Sequence, residues 1–93
     1  EIYFIVLDKN SLPIALDLAD QLRSSLGIQV YLDTLRRSLK AQMRHANKMN
    51  ANFAIIMGDA EIKKNKLIIK NMEDNAQQEV PIEKILSYFE SED

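Results

Sequence analysis

The chain has 93 residues, no cysteine, two glycines, two prolines and a formal net charge of −2. This length accommodates one domain, and 46% hydrophobic with 28% charged residues is an ordinary globular composition, which excludes a disordered chain. The absence of cysteine excludes a disulfide scaffold, a thiolate metal site and a cysteine nucleophile, and it fits a reducing compartment. No apolar run is long enough to predict a membrane span or a signal peptide. Taken alone, a net charge of −2 argues against a nucleic-acid-binding protein.

The first strand starts at the second residue of the chain. Residue 1 is glutamate and the apolar run begins directly after it. We therefore expect residues 1–93 to form a single domain taken from a longer protein, with further domains in the same polypeptide.

A strand and a helix are predicted first. Residues 2–7 (IYFIVL) are continuously apolar, which is typical of a central strand buried on both faces. Asn10 or Ser11 can cap the following helix, Pro13 fits its first turn, and Gly27 ends it in the left-handed conformation. One apolar face runs along this helix and consists of Ala15, Leu18, Ala19, Leu22 and Leu26.

The next segment repeats this order of elements. Residues 28–32 alternate between apolar and polar side chains, which predicts a half-exposed strand at the edge of a sheet. A second helix of about four turns is expected to begin at Asp33 or Thr34. Its predicted buried stripe is Leu35, Leu39, Met43, Ala46 and Met49. Residues 53–57 (FAIIM) predict a second central strand, which Gly58 ends.

The end of the chain predicts a different connection. Strands at residues 66–70 and 78–80 follow without a helix between them, and the short turn after residue 57 requires an antiparallel fourth strand. A last helix opens at Pro81. The prediction is an α/β domain of three layers, α/β/α, with three helices and a five-stranded mixed sheet of order 2-1-3-4-5, in which strand 4 is antiparallel.

The charge is concentrated in the middle of the chain. Residues 34–70 contain nine lysines and arginines against two acids, a charge of +7, whereas residues 1–33 carry −3 and residues 71–93 carry −6. The predicted second helix contains no acid, and Arg36, Lys40, Arg44 and Lys48 recur along it at intervals of four residues. This stripe spans about 18 Å at 1.5 Å per residue, enough to follow several phosphates. The alternative is a solvated face that an acidic neighbour balances.

Three loops should meet at the carboxyl edge of the sheet, where open α/β sheets bind ligands. These are residues 8–11, 33–37 and 58–66, which carry the donors Lys9, Arg36, Arg37, Lys63 and Lys64 and the acceptors Asp59 and Glu61. Carboxylates beside cations suit the reading of base edges, because carboxylates accept hydrogen bonds from exocyclic amines and ring N–H groups. The alternative for Glu61 is an ordinary surface turn residue.

Catalytic interpretations lack the residues that they need. The single histidine, His45, lies in the basic helix without a second metal ligand, and a packing role accounts for it. Gly27 and Gly58 are isolated, so no glycine-rich phosphate loop is present. A phosphoacceptor domain would need an acid at the end of the third strand, where this chain has Met57. We therefore expect this domain to be non-catalytic, with no metal site and no cofactor.

Three segments together resemble a known family. The helix at residues 37–46 (RSLKAQMRHA), the strand and turn at 50–61 (NANFAIIMGDAE) and the strand at 67–72 (LIIKNM) resemble the C-terminal anticodon-binding domain of class II aminoacyl-tRNA synthetases. The match is best with the histidyl type and extends over essentially the whole chain. Prolyl, threonyl and glycyl enzymes share the fold, although they usually carry arginine at the position of Lys70.

The resemblance implies a role in holding the anticodon loop of a tRNA. In the family, the glutamate three residues after the glycine, here Glu61, is often an anticodon contact, and Lys70 matches the basic residue of the fourth strand. Lys9 and Asn10 match a loop that faces the anticodon. Together with the charge pattern, this predicts that Glu61, Lys63 and Lys70 contact unstacked bases, that Asp59 is a further candidate, and that Arg36, Arg37 and Lys40 hold the phosphate backbone.

The resemblance also implies properties of the longer protein. It would be a cytoplasmic, homodimeric histidine–tRNA ligase, with no membrane contact, whose catalytic domain binds ATP and Mg²⁺. Two other functions remain open. One is a protein–protein module that pairs with an acidic partner or with its own catalytic domain, and the other is a small phosphate-binding enzyme on a flavodoxin-like sheet, for which the glycine loop is missing.

Asparagine stands where related domains often have glycine in turns. These positions are Asn50, Asn65 and Asn75. Asparagine tolerates positive φ better than other residues with a side chain, so the turns are expected to survive.

Overall fold

The computed structural model describes residues 1–33 and 38–90. A five-stranded sheet of order β2-β1-β3-β4-β5 forms the middle layer. Its strands are β1 Ile2–Val6, β2 Val30–Leu32, β3 Phe53–Met57, β4 Lys66–Asn71 and β5 Gln77–Pro81. β1 pairs in parallel with β2 and β3, whereas β4 is antiparallel to both β3 and β5. The predicted strand order and the antiparallel fourth strand are confirmed.

Helices cover both faces of the sheet. They are α1 Leu12–Leu26, α2 Leu39–Lys48, α3 Asp59–Lys63 and α4 Ile85–Glu90, with 3₁₀ turns at Lys9–Ser11 and Ile82–Lys84. α1 and α4 pack on one face against Phe4 and Ile55, while α2 packs on the other against Tyr3 and Ile5. The three-layer architecture is confirmed, and β1 is buried along its whole length as predicted.

α3 is a helix that the sequence did not predict. The loop expected over residues 58–66 contains this single short helix, so the described residues hold four α-helices rather than three. Five residues are too few to show helical periodicity, and Gly58 offers no side chain as a cap. Ile62 packs onto the core and fixes the helix to the sheet.

The start of α2 differs from the prediction. Ser38 has an extended backbone and its hydroxyl accepts a hydrogen bond from the Ala41 amide at 3.1 Å, so the helix begins at Leu39 and has ten residues. The predicted cap Asp33 was therefore wrong. Thr34 and Leu35 lie outside the described residues.

The buried stripe of α2 was also predicted incorrectly in one position. Leu39 is 43% exposed, whereas Gln42 is fully buried. The Gln42 side chain accepts a hydrogen bond from the Val6 amide and donates one to the Val6 carbonyl, at 3.3 and 3.1 Å. β2 stops pairing with β1 at Phe4. Gln42 therefore supplies the hydrogen bonds for Val6 that β2 does not provide.

The expected left-handed turns are all present. Asn50, Asn65 and Asn75 have φ of 58°, 58° and 63°, and Gly27 has φ of 66° at the end of α1. The prediction that asparagine replaces glycine at these turns is confirmed. Among the helices in residues 1–33 and 38–90, none has the length and apolar character needed to cross a bilayer.

Candidate nucleic-acid interface

Two of the three predicted loops meet at the carboxyl edge of the sheet. The Leu7 amide donates to the Met57 carbonyl at 2.9 Å, and the Asp59 amide donates to the Asp8 carboxylate at 2.7 Å. The same carboxylate accepts bonds from the amide and the hydroxyl of Ser11, both at 2.9 Å. Asp8 therefore joins the turn before α1 to the start of α3, a role that sequence reasoning missed.

These hydrogen bonds also set the ionisation of Asp8. Partial removal from water is the largest single influence and raises its pKa, but the bonds from the Ser11 hydroxyl and from the amides of Asp59, Ser11 and Asn10 together outweigh it. The pKa of Asp8 is lowered from its ordinary value of 3.8. Ser11 occupies the predicted cap position of α1, but its hydroxyl donates to Asp8 instead of capping the helix.

Glu61 lies on the face of the sheet that α2 covers in part. Side chains alternate along β1, so Tyr3, Ile5 and then Leu7 point toward the α2 face. A Cβ atom on Gly58 would lie 3.2 Å from both the Leu7 Cβ and the Glu61 Oε1 atom. The Glu61 carboxylate is therefore half-buried beside Leu7, above the end of β3.

Lys70 shares this face but lies farther from the edge. It pairs with Ala54 of β3 and Gln77 of β5, and its neighbours Leu67 and Ile69 are buried on the opposite face. Ala54 is three residues before the end of β3, so the Lys70 backbone lies about 10 Å from the carboxyl edge. The structure thus places Glu61 and Lys70 on one face, and it adds Leu7 and Gly58 as neighbours of Glu61 that the sequence did not single out.

Of the remaining predicted residues, four are exposed near the carboxyl edge, whereas Lys64 lies near an acidic side chain. Lys9 and Asn10 are exposed in the 3₁₀ turn that leads to α1, and Asp59 and Lys63 are exposed on α3. Lys64, by contrast, lies 3.9 Å from Glu79 of β5.

The predicted site residue Lys40 lies on α2. Lys40 is exposed in the first turn of α2, close to the end of β1 that Gln42 contacts. Arg36 and Arg37 lie outside the described residues. In the part of the chain that the structure describes, no group of three or more histidine, aspartate or glutamate side chains is placed to hold a metal ion.

The single histidine has a structural role on the inner side of α2. The His45 Nδ1 atom lies 3.0 Å from the Tyr3 hydroxyl, and the ring makes edge contacts with Tyr3 and Tyr31. Together with Gln42, this residue connects α2 to β1: the Gln42 contacts are buried and the His45 contact is partly buried. The interpretation of His45 as a packing residue is supported.

Comparison with known proteins decides the family. Residues 1–92 match the family model described as the anticodon binding domain. The chain belongs to the anticodon binding domain family. A histidine–tRNA ligase of Thermoanaerobacter sp. (strain X514) is 50% identical over 68 residues, which cover 73% of this chain and 16% of that protein. One from Symbiobacterium thermophilum is 33% identical over 89 residues, covering 96% of this chain and 20% of that protein.

Solved structures agree with this membership. The apo histidyl-tRNA synthetase of S. aureus superposes with a TM-score of 0.87 at 29% identity, over 96% of this chain and 26% of that chain. The anticodon binding domain described here spans about a fifth of the length of the curated relatives that it matches. The resemblance noted from residues 37–46, 50–61 and 67–72 is confirmed.

Proposed function

We propose that this domain binds the anticodon stem-loop of histidine tRNA as part of a histidine–tRNA ligase. One observation carries the proposal: Glu61, an acceptor, and Lys70, a donor, lie on the same face of the sheet, and the exposed Leu7 lies near Glu61. Single-stranded loops offer unstacked bases, which proteins recognise by hydrogen bonds to base edges and by apolar contact. This face supplies both kinds of contact.

In the proposed RNA binding, the predicted residues contact either bases or phosphates. Glu61 accepts hydrogen bonds from exocyclic amines or ring N–H groups, which carry the discrimination between bases. Lys63 and Lys70 donate to base or backbone oxygens. Lys40, with Arg36 and Arg37, neutralises phosphates of the loop, and Lys9, Asn10 and Asp59 line the neighbouring edge. Phosphate contacts supply affinity that falls as salt rises, whereas base contacts supply specificity.

A titration of the 93-residue chain with anticodon stem-loop RNAs tests the proposal. We expect tighter binding of the histidine anticodon than of hairpins with altered anticodon bases. Glu61→Gln should reduce this preference by about 1–3 kcal/mol, the range for a good base contact. Glu90→Gln, which changes an exposed acid on α4, is the matched control and should leave the preference unchanged. Equal affinity for all anticodons would contradict the proposal.

The rest of the protein is proposed from the names of the relatives. The longer polypeptide would contain a catalytic domain that binds ATP, Mg²⁺ and histidine, and it would act as a homodimer in the cytoplasm. The support is the 50% identity to a histidine–tRNA ligase of which this chain covers 16%. An aminoacylation assay on the full-length protein tests it, because charging with proline, threonine or glycine instead of histidine would contradict the assignment.

A further inference from the structure

An open cleft of about 500 Å³ lies at the amino edge of the sheet, opposite the edge where Glu61 lies. It forms where α2 ends, β3 begins and β4 ends, and the five residues of β3 separate it from the candidate interface by about 13 Å. Side-chain amides dominate its walls, which include Asn47, Asn50, Asn52 and Asn71. The proposed function uses none of these four residues.

Most of these carboxamides have hydrogen-bonding capacity that the domain does not use. Asn47 and Asn50 are exposed, and within residues 1–33 and 38–90 neither carboxamide has a hydrogen-bond partner. The Asn52 Oδ1 atom accepts one bond, from the amino group of Glu1. Only Asn71 is committed to a turn, because its Oδ1 atom accepts a bond from the Glu73 amide at 2.9 Å. Each unused carboxamide offers both an acceptor and donors to a ligand.

The composition of the cleft indicates what it can bind. No lysine or arginine is among the described residues that line it, and Glu73 adds a negative charge, so a ligand that carries phosphates is disfavoured. Carboxamides pair well with a polypeptide backbone, in which donors and acceptors alternate. This chain contains an example of such pairing, since the Gln42 side chain bonds to both the amide and the carbonyl of Val6.

The first residue of the chain lies at the rim of this cleft. The Glu1 carbonyl accepts hydrogen bonds from the Asn52 and Phe53 amides at 2.9 and 3.3 Å, and the Glu1 nitrogen donates to the Asn52 Oδ1 atom at 2.7 Å. In a longer polypeptide this nitrogen is a peptide amide, which can keep the bond and which carries the preceding residue. A segment before residue 1 therefore starts beside the cleft that Asn47 and Asn50 line.

We propose that the cleft binds the polypeptide segment that immediately precedes residue 1, in an extended conformation, through the carboxamides of Asn47, Asn50 and Asn52. This inference rests on the proposed function, in which the domain is the last part of a longer histidine–tRNA ligase. The chain spans 16% of one such relative and 21% of another. The segment and the RNA then occupy opposite edges of the sheet, so the connection to the rest of the polypeptide leaves the anticodon site open.

Hydrogen exchange of the full-length protein, measured by mass spectrometry without RNA, tests the inference. Asn50→Gly/Asn52→Ala removes two carboxamides from the cleft, and glycine keeps the left-handed conformation at residue 50. Asn75→Gly/Gln77→Ala is the matched control. It also removes one carboxamide at a left-handed turn and one at an exposed position, but neither residue lines the cleft.

The expected change is confined to the segment before residue 1. Its amides should exchange slowly in the wild type, and about tenfold faster in Asn50→Gly/Asn52→Ala, the factor that corresponds to one or two lost hydrogen bonds. Exchange of β3 should stay as in the wild type. Asn50→Gly alone should give a smaller increase, and it decides the question if the double variant loosens β3. The control should leave exchange of the segment unchanged.

Other outcomes overturn the inference. Fast exchange of the segment in the wild type, or slow exchange that persists in both cleft variants, would show that the cleft does not hold it. An equal increase in the control would show an effect that does not belong to the cleft. Failure of the proposed function would appear elsewhere, in the hairpin titration, as binding that ignores the anticodon.

Discussion

The Asp8 carboxylate accepts a hydrogen bond of 2.7 Å from the Asp59 amide, across 51 positions of sequence. This bond connects the loop after β1 with the first residue of α3, the helix that carries Glu61. Because the same carboxylate binds Ser11 twice, one side chain fixes both loops of the candidate interface. The orientation of Glu61 therefore depends on a residue that contacts no base in the proposed mechanism.

Stability should depend on pH through Asp8. Its pKa is lowered in the folded chain, so its contribution is complete above its ordinary value of 3.8 and is lost as pH falls through the folded-state pKa. We expect Asp8→Asn to lower the melting temperature clearly at pH 7 and by less at pH 3, where the wild type has itself lost part of the contribution. Thermal unfolding followed by circular dichroism measures both differences.

The control for this experiment is Asp20→Asn. Asp20 is an exposed carboxylate on α1 outside the Asp8 network. A difference between Asp8→Asn and wild type that stays constant from pH 7 to pH 3 would disprove a role for the ionised Asp8.

Replacing Gln42 by an apolar residue should lower the free energy of unfolding, although the residue is buried. In Gln42→Met the side chain keeps a similar size, but the Val6 amide and carbonyl lose their partner. A buried backbone group without a partner costs about 1–3 kcal/mol, so we expect a loss of that order in the free energy of unfolding. Urea denaturation measures it. Gln29→Met, at an exposed position, should change the same quantity by less than about 0.5 kcal/mol, and equal losses would refute the assignment.

The turn between β4 and β5 should be less stable with alanine than with asparagine at residue 75. Asn75 has φ of 63°, and its amide donates to the Asn71 carbonyl at 2.8 Å. Asn75→Ala should destabilise the chain by about 1 kcal/mol because a Cβ without a polar side chain is strained there, whereas Asn75→Gly should be near neutral. Asn47→Ala, inside α2, is the control and should not destabilise. A neutral Asn75→Ala in denaturant unfolding would contradict the argument.

Gly58 should affect RNA recognition through Glu61. Its φ of −157° is ordinary extended backbone, so the effect of Gly58→Ala is one of space. The new methyl group would meet Leu7 and the Glu61 carboxylate and displace them. We expect the preference for the histidine anticodon to fall as it does in Glu61→Gln, measured by the same hairpin titration.

A double-mutant cycle shows whether this effect passes through Glu61. If it does, Gly58→Ala/Glu61→Gln should lose no more preference than Glu61→Gln alone. Additive losses would mean that Gly58 acts on the RNA by another route.

Much of this fold could be predicted because its local patterns agree with its tertiary structure. The continuous apolar segments at residues 2–7 and 53–57 correspond to β1 and β3, and Asn50, Asn65 and Asn75 adopt the conformation that their residue type favours. The strand order followed from the sequence of strands and helices, since right-handed crossovers leave few alternatives. α3 was missed because five residues show no helical period.

The candidate site was predicted only in part, because some of its contacts join residues that are far apart in the sequence. The sequence identified Glu61, Lys63 and Lys70 by charge and by resemblance, and it placed Asp59 and Glu61 at the carboxyl edge. It could not show that Leu7 and Gly58 flank the Glu61 carboxylate, because that contact joins separate strands. Nor could it identify Asp8 as the link between two loops, since a carboxylate after a strand looks like any turn residue.

The sequence by itself determined the strands and the first helix, the family and the excess of positive charge in residues 34–70, because these depend on residue types and short spacings. Only the tertiary structure decided which charges face the same way. It separated Lys64, which approaches Glu79, from Lys40, Arg44 and Lys48, which have no such partner in the described chain. The net charge of −2 is a sum over the whole chain, whereas binding depends on the charges of one surface, and the path of the backbone determines that surface.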